Sequence, residues 1–373
     1  MATKTVGLYV HIPFCVRKCN YCDFCSFCPT DAGWREEYID RLCREIESYS
    51  DRGIMLDSIF FGGGTPSLLS ASEFGRICAS IRASFEITAE CEFTIEANPK
   101  TIDREKLSMY RSCGVNRLSM GLQSIHENEL KILGRIHNFD EFLSSYSLAR
   151  EYGIDNINID LMYGIPEQSM DSFHKTLDAV CALSPQHISL YGLIIEEGTP
   201  FYEWRDRLDL PTEDSECDMY ELASRILRER GYNHYEISNY ARAGYESRHN
   251  LKYWRCEEYI GVGLAAYSCF EGHRFSNSED PIEYISSPDG KPHSDEPLDI
   301  GDRAYEYVML GLRLAEGFSL SEYRDMFGED FYLQRKGKID YMIERGYVRL
   351  EGDRISLTDS GFYVSNFLLT ELI

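Results

Sequence analysis

Residues 7–22 read GLYVHIPFCVRKCNYC: a short apolar run, Gly7–Ile12, that leads straight into Cys15, Cys19 and Cys22. The run has strand character, and the loop behind it carries metal-ligating side chains. The next two hundred residues repeat that layout of strand, polar loop and helix. Trp34, Tyr38, Leu42 and Ile46 recur every fourth residue and so share one helix face. Ser58–Phe61 is a second apolar strand, and a helical stretch begins near Ser70. Cys91–Ala97 alternates as a strand, and a helix follows Asp103. Arg117–Met120 is a strand, with helical segments from about Glu127 to Glu151. Asn156–Leu161 is a strand, Met170–Leu183 a helix, and His187–Leu193 a sixth strand. Six strands alternating with helices predict βαβ units and a parallel sheet. In such folds ligands bind at the carboxyl ends of the strands. The cysteine loop, Gly62–Ser67, Asn98-Pro99 and Gln123 all sit there, so they should converge on one face.

After Pro200 the alternation stops. A helix over about Glu213–Arg230 leads to Tyr235–Ile237 and then to a loop rich in Tyr, Arg, His and Asn. Ser276–Asp299 is polar, rich in Ser, Asp and Pro, and reads as a linker or long surface loop. From Arg303 the chain is helical again, and Tyr347–Leu357 reads as a hairpin around Glu351–Asp353. The expected organisation is a parallel α/β unit over 1–205, a connecting region over 206–299 and a small α+β, winged-helix-like domain over 300–373.

The 373 residues include 62 acids and 38 bases, a formal charge of −24. That balance argues against a binder of nucleic-acid backbones, which needs a basic face, and makes a packing or partner-binding role the expectation for the C-terminal domain. No apolar run approaches the ~20 residues of a membrane span. Met1–Phe14 lacks the features of a signal peptide. Thirteen cysteines, an odd number with no export signal, point to a reducing cytoplasm rather than a disulfide scaffold. Five lie between Cys15 and Cys28; the scattered eight read as small buried hydrophobes.

Cys15, Cys19 and Cys22 have the spacing C-x3-C-x2-C. Three thiolates on one loop suit three irons of a 4Fe–4S cluster and leave the fourth open. Two other readings compete. Cys19, Cys22, Cys25 and Cys28 are evenly spaced and would suit an all-thiolate zinc site. The same run ending in Cys28-Pro29 nearly matches a ferredoxin pattern, although two residues rather than three precede its last cysteine, and a second run is missing. In Gly62–Ser67 (GGGTPS), consecutive glycines let backbone N–H and C=O groups approach a ligand, or simply form a tight strand-to-helix turn. Glu96, Gln123, Arg135 and Asp160 are the polar residues at or soon after successive strands. A carboxylate there can accept two ribose hydroxyls and Arg can grip a ligand carboxylate; singly, each is as readily a cap or a surface charge.

Taken together, Tyr9–Phe14 with the cysteine loop, GGGTPS, IEANP (Ile95–Pro99), NRLSMGLQS (Asn116–Ser124) and NIDLMYGIPEQ (Asn158–Gln168) resemble the radical S-adenosylmethionine (SAM) proteins of the oxygen-independent coproporphyrinogen III oxidase family. The five motifs keep the family's order and spacing from Tyr9 onward. The resemblance implies a partial, six-stranded α/β barrel with a 4Fe–4S cluster on Cys15, Cys19 and Cys22. The open iron would be chelated by the amino and carboxylate groups of SAM. By motif position, Tyr9, Gly63 and Glu96 match contacts to that SAM. Gly64, Thr65, Gln123, Arg135 and Asp160 match contacts to a second SAM. Cys25 and Cys28 carry no role from the family.

The family divides into the oxidase and the HemW-type haem chaperones. The oxidase usually has a cysteine two residues after the third, where this chain has Phe24. It also carries an N-terminal arm, whereas only fourteen residues precede Cys15 here. HNLKYW (His249–Trp254), behind YEISNY (Tyr235–Tyr240), resembles the chaperone branch. His249 is then a haem-iron ligand candidate, with Asn250, Tyr253 and Trp254 beside it; the bland alternative makes His249 a structural histidine and Trp254 a core residue. The family's common Gly-Ala-His-Ser is Ala265–Ser268 here, which leaves Tyr267 as a weak SAM-contact candidate. The resemblance thus implies a cytoplasmic radical-SAM-fold chaperone that carries haem to an acceptor protein without oxidase activity. The oxidase itself, or a radical SAM enzyme with an unrelated substrate, are the alternatives.

Overall fold

The computed structural model describes residues 5–28, 32–288 and 291–373, so Pro29 and the first four residues lie outside it. Six parallel strands come in chain order: β1 (Thr5–Ile12), β2 (Met55–Gly63), β3 (Glu86–Ala97), β4 (Arg117–Gln123), β5 (Asn156–Tyr163) and β6 (His187–Gly192). Each pairs in parallel with the next. All seven residues of β4 are buried, as expected for a strand covered on both faces. The intervening helices are α1 (Ala32–Glu47), α2 (Ala71–Ser84), α3 (Arg104–Ser112), α4 (Glu127–Leu133), α5 (Phe139–Glu151) and α6 (Met170–Leu183). Capping boxes open α2 at Ser70/Glu73, α5 at Asn138/Glu141 and α6 at Ser169/Ser172. The Glu127–Glu151 stretch is two helices. Gly134, at φ 80°, ends α4 and leaves Arg135 on the connection.

Beyond β6 the chain runs through α7 (Pro200–Trp204) and α8 (Glu213–Glu229), then extends the same sheet at both ends. β7 (Asn233–Glu236) and β8 (Asn239–Ala241) add antiparallel to β6. After α9 (Arg248–Trp254), β9 (Tyr259–Val262) lies parallel to β1, followed by β10 (Tyr267–Phe270), β11 (His273–Ser276) and β12 (Ser294–Pro297) as antiparallel neighbours. The six-stranded unit is therefore the middle of a twelve-stranded, mostly parallel sheet.

Ser276–Asp299 departs from the sequence expectation. It holds the end of β11, the short helix α10 (Pro281–Ser286) and β12, not a bare loop. The composition misleads because some of the segment's polar residues are buried, Ser276 and Ser278 among them, and Asn277 donates to Glu45 of α1. Tyr284, 1% exposed, lies on Tyr38 of α1 and donates its hydroxyl to Glu45.

The C-terminal domain packs α11 (Ile300–Gly311), α12 (Leu320–Phe327), α13 (Phe331–Glu344), α14 (Asp359–Tyr363) and α15 (Ser365–Leu372) around an antiparallel sheet. That sheet is formed by β13 (Phe318–Ser319), β14 (Val348–Glu351) and β15 (Arg354–Leu357). Phe318, Tyr323, Phe331, Ile339 and Leu357 centre its core, and Tyr220 of α8 joins it from the barrel side. Helices with a small antiparallel sheet are what the expected α+β domain required. Among the described residues no helix is long and apolar enough to cross a membrane.

Candidate functional site

Alternation along β4 aims Arg117, Ser119, Gly121 and Gln123 to one side. Glu96 on β3, Asn158 and Asp160 on β5, and Ser189 and Tyr191 on β6 join them around a cavity of about 530 Å³. The cysteine loop closes its mouth. Of the residues singled out in the sequence, Cys15, Cys19, Cys22, Gly63, Gly64, Thr65, Glu96, Gln123, Arg135, Asp160 and Asn250 line this cavity. Tyr9, His249, Tyr253, Trp254 and Tyr267 do not.

Glycine is required at the GGG turn by contact. A Cβ on Gly64 would lie 2.8 Å from Phe14 O and 3.1 Å from Cys15 Sγ. Gly63 has φ +111°, and its Cβ would meet the His11 ring at 2.6 Å. The turn is thus pressed against the cysteine loop. Thr65 Oγ1 stands 3.7 Å from Cys15 Sγ and accepts from Asn98 Nδ2 at 2.8 Å. Asn98 Oδ1 in turn accepts from Arg135 Nη2 at 2.5 Å, which also donates to Gly121 O; Arg135 Nη1 faces Cys19 Sγ at 3.6 Å. One chain of contacts therefore links Cys15 to Cys19 through Thr65, Asn98 and Arg135. The sequence puts Asn98 at the carboxyl end of a strand, on the converging face, but does not name its partners, which come from other elements.

The three cysteines are half-buried free thiols. Burial raises the Cys15 thiol and pushes Cys22 up to about 11. Three thiols on one cavity wall are the soft donors an iron–sulfur cluster takes, and bound iron would offset the cost of ionising them there. Among the described residues no three Cys, His, Asp or Glu side chains converge as ligands of a single ion, the arrangement an all-thiolate zinc site would need. Cys25 faces Glu279 O at 3.8 Å, outside the cavity lining, and Cys28 is exposed.

Glu96 is pushed up to about 8 by burial first and by the neighbouring Asp160 second, with the Gly63 amide opposing. Burial also raises Asp160, whose Oδ1 accepts from Asn158 Nδ2 at 2.7 Å. A raised carboxylate keeps its proton in the folded chain and sheds it on unfolding, so stability falls as pH climbs from the free value of 4.5 towards 8. In ligand-free protein, Glu96→Gln is expected to be more stable than wild type, with a gap that widens by about 2 kcal/mol between about pH 6 and 8. Urea-unfolding midpoints at those two pH values test this; an unchanged gap would contradict the raised value.

The remaining candidates have defined surroundings. Tyr9 Oη meets His11 Nδ1 at 3.1 Å, and its ring stacks on Phe60 of the cavity wall. His249 is 1% exposed. Its Nδ1 pairs with Ser58 Oγ and its Nε2 with Tyr253 Oη, each at 2.9 Å, while its ring stacks on Phe60. Burial lowers it to about 3. In this arrangement neither nitrogen of His249 is open to an iron. Trp254 lies under Arg313, and Tyr267 is 53% exposed on β10. Asn250 alone of the HNLKYW segment reaches the cavity.

The Radical SAM superfamily model matches residues 9–180, and the HemN C-terminal domain model matches residues 298–364. The Heme chaperone HemW of Lactococcus lactis subsp. lactis is 35% identical over the full length of both chains. Those of Haemophilus influenzae and Escherichia coli are 36% and 35% identical, each over 98% of this chain and 97% of theirs. The coproporphyrinogen III oxidase (HemN) of Escherichia coli, described as a radical SAM enzyme, superposes with a TM-score of 0.86 over 99% of this chain and 90% of its own; at 23% identity it shares the fold. The end-to-end identity to several HemW proteins, on a radical SAM fold, means that this chain belongs to the HemW family of radical SAM proteins.

Proposed function

We propose that the chain is a haem chaperone: it binds haem and passes it to an acceptor protein, in a reducing cytoplasm that keeps its thirteen cysteines as thiols. The end-to-end identity to proteins named Heme chaperone HemW carries the reading. Phe24, 64% exposed at the cavity lining, supports it, since the oxidase usually has a cysteine at that position.

In this reading Cys15, Cys19 and Cys22 hold a 4Fe–4S cluster. When bound, the cluster supplies an open iron for the amino and carboxylate groups of SAM, and an electron. The protein's residues supply the rest. Arg135 faces the Cys19 sulfur and fixes the loop to Gly121 and Asn98. Donors to a thiolate lower its electron density, a means by which a protein tunes a cluster. Gly63 and Glu96 face the first SAM, with Glu96 accepting ribose hydroxyls, while Tyr9 backs the wall through His11 and Phe60. Gly64, Thr65, Gln123, Arg135 and Asp160 face a second.

Anaerobic reconstitution followed by two parallel assays tests the function. The expected result is stoichiometric haem, transferable to an apo-acceptor, with no conversion of coproporphyrinogen III. Decarboxylation of coproporphyrinogen III with SAM and a reductant would replace the chaperone reading with the oxidase. Haem that binds without a fixed stoichiometry, or that cannot be transferred, would remove the chaperone reading.

A further inference from the structure

Arg117 opens β4 at the floor of the barrel and is 2% exposed. Its guanidinium makes no hydrogen bond or ion pair with the described residues, and its Nε is buried without a partner. The side chain lines the same cavity as the cysteine loop. It stands six residues below Gln123, about 20 Å along the strand. An unpaired buried guanidinium is costly, and buried charges are ordinarily paired. Its neighbours are polar too. Thr94, its register partner on β3, is fully buried with an unpaired hydroxyl, and Asn250 enters the cavity from α9.

Glu96 and Asp160 influence Arg117 electrostatically, but neither lies within ion-pair distance. By register Glu96 lies beside Ser119 and Asp160 beside Gly121, both above Arg117 along the strands. The arrangement is a cavity with a positive, forked, unsatisfied donor at its base. A planar guanidinium with free terminal nitrogens matches a carboxylate in bidentate fashion.

We propose that Arg117 is a carboxylate anchor at the base of the barrel, gripping the acid group of whichever ligand fills the cavity. This rests on the chaperone reading for the ligands available: a haem propionate, or the methionyl carboxylate of a second SAM. No bond to carbon changes; a water-exposed carboxylate exchanges solvent for the guanidinium.

Two arms on the full-length, cluster-loaded protein separate the sources. In the first, haem and haem dimethyl ester are titrated into wild type and Arg117→Gln. Wild type is expected to prefer the free acid by about tenfold or more, and the variant to lose that preference. In the second, SAM bound per chain is measured at equilibrium; loss of only the weaker equivalent in Arg117→Gln would assign the carboxylate to SAM. Arg117→Lys keeps the charge without the fork, and should fall between wild type and Arg117→Gln in the arm that responds. Iron content and circular dichroism confirm that each variant is folded. If neither arm distinguishes Arg117→Gln from wild type, the anchor is overturned. If wild type binds no haem at all, the chaperone reading falls, and Arg117 then stands or falls on the SAM arm.

Discussion

Replacing Cys19 with alanine is expected to abolish the 4Fe–4S cluster, reducing reconstituted iron and sulfide from about four per chain to background. The effect is large because the loop offers three ligands on the cavity lining, and two thiolates do not hold a cubane. The variant should still fold. Arg135 loses one contact, at 3.6 Å, but keeps Asn98 Oδ1 and Gly121 O at 2.5 Å. Cys25→Ala and Cys28→Ala are the controls. Cys25 has its sulfur towards Glu279 O, and Cys28 is exposed, so both should retain nearly full iron. Iron analysis and the reduced-state electron paramagnetic resonance spectrum read the result. Loss of iron in Cys25→Ala with retention in Cys15→Ala would overturn the assignment in favour of the evenly spaced run.

Glu45→Ala is expected to destabilise the protein by about 3–5 kcal/mol, the usual cost of breaking a buried charged network from one side. Glu45 is 4% exposed. It accepts from Tyr284 Oη at 2.6 Å, Asn277 Nδ2 at 2.7 Å and Gly263 N at 3.2 Å, and lies 3.9 Å from Arg41. One carboxylate on α1 therefore fastens α10, the segment after β11 and the turn after β9. Its removal strands the Tyr284 hydroxyl and the Gly263 amide, while Asn277 Nδ2 keeps Gly263 O at 2.7 Å. Tyr284→Phe removes a single donor and leaves the others in place, so its cost should be about 1–3 kcal/mol. Chemical unfolding of the three proteins under one condition checks the order. A loss below about 1 kcal/mol in Glu45→Ala, under the usual cost of an unsatisfied buried donor, would mean that the network does not hold the segment.

Local periodicity was enough for the barrel. Alternation in Cys91–Ala97 and Asn156–Leu161, and four-residue spacing from Trp34 to Ile46, are properties of consecutive residues, and the strands and helices formed there. The spacing of Cys15, Cys19 and Cys22 is likewise local, and the three side chains line one cavity. The contacts that organise the site are not local. Asn98 joins Thr65 to Arg135 across elements 33 and 37 residues away. The sequence places Arg117 within NRLSMGLQS but does not show that its guanidinium is buried without a partner. Alternation reports that Arg117, Ser119, Gly121 and Gln123 share a face, but only closure of the neighbouring strands turns that face inward. His249 and Tyr284 differ from their local context in opposite directions. The segment around His249 suggested a ligand, yet tertiary packing gave both ring nitrogens partners. The segment around Tyr284 suggested a solvated loop, yet one aromatic side chain found a buried carboxylate 239 residues away. Burial, charge and hydrogen-bond satisfaction depend on which distant groups surround a residue, and that is decided only when the sheet assembles.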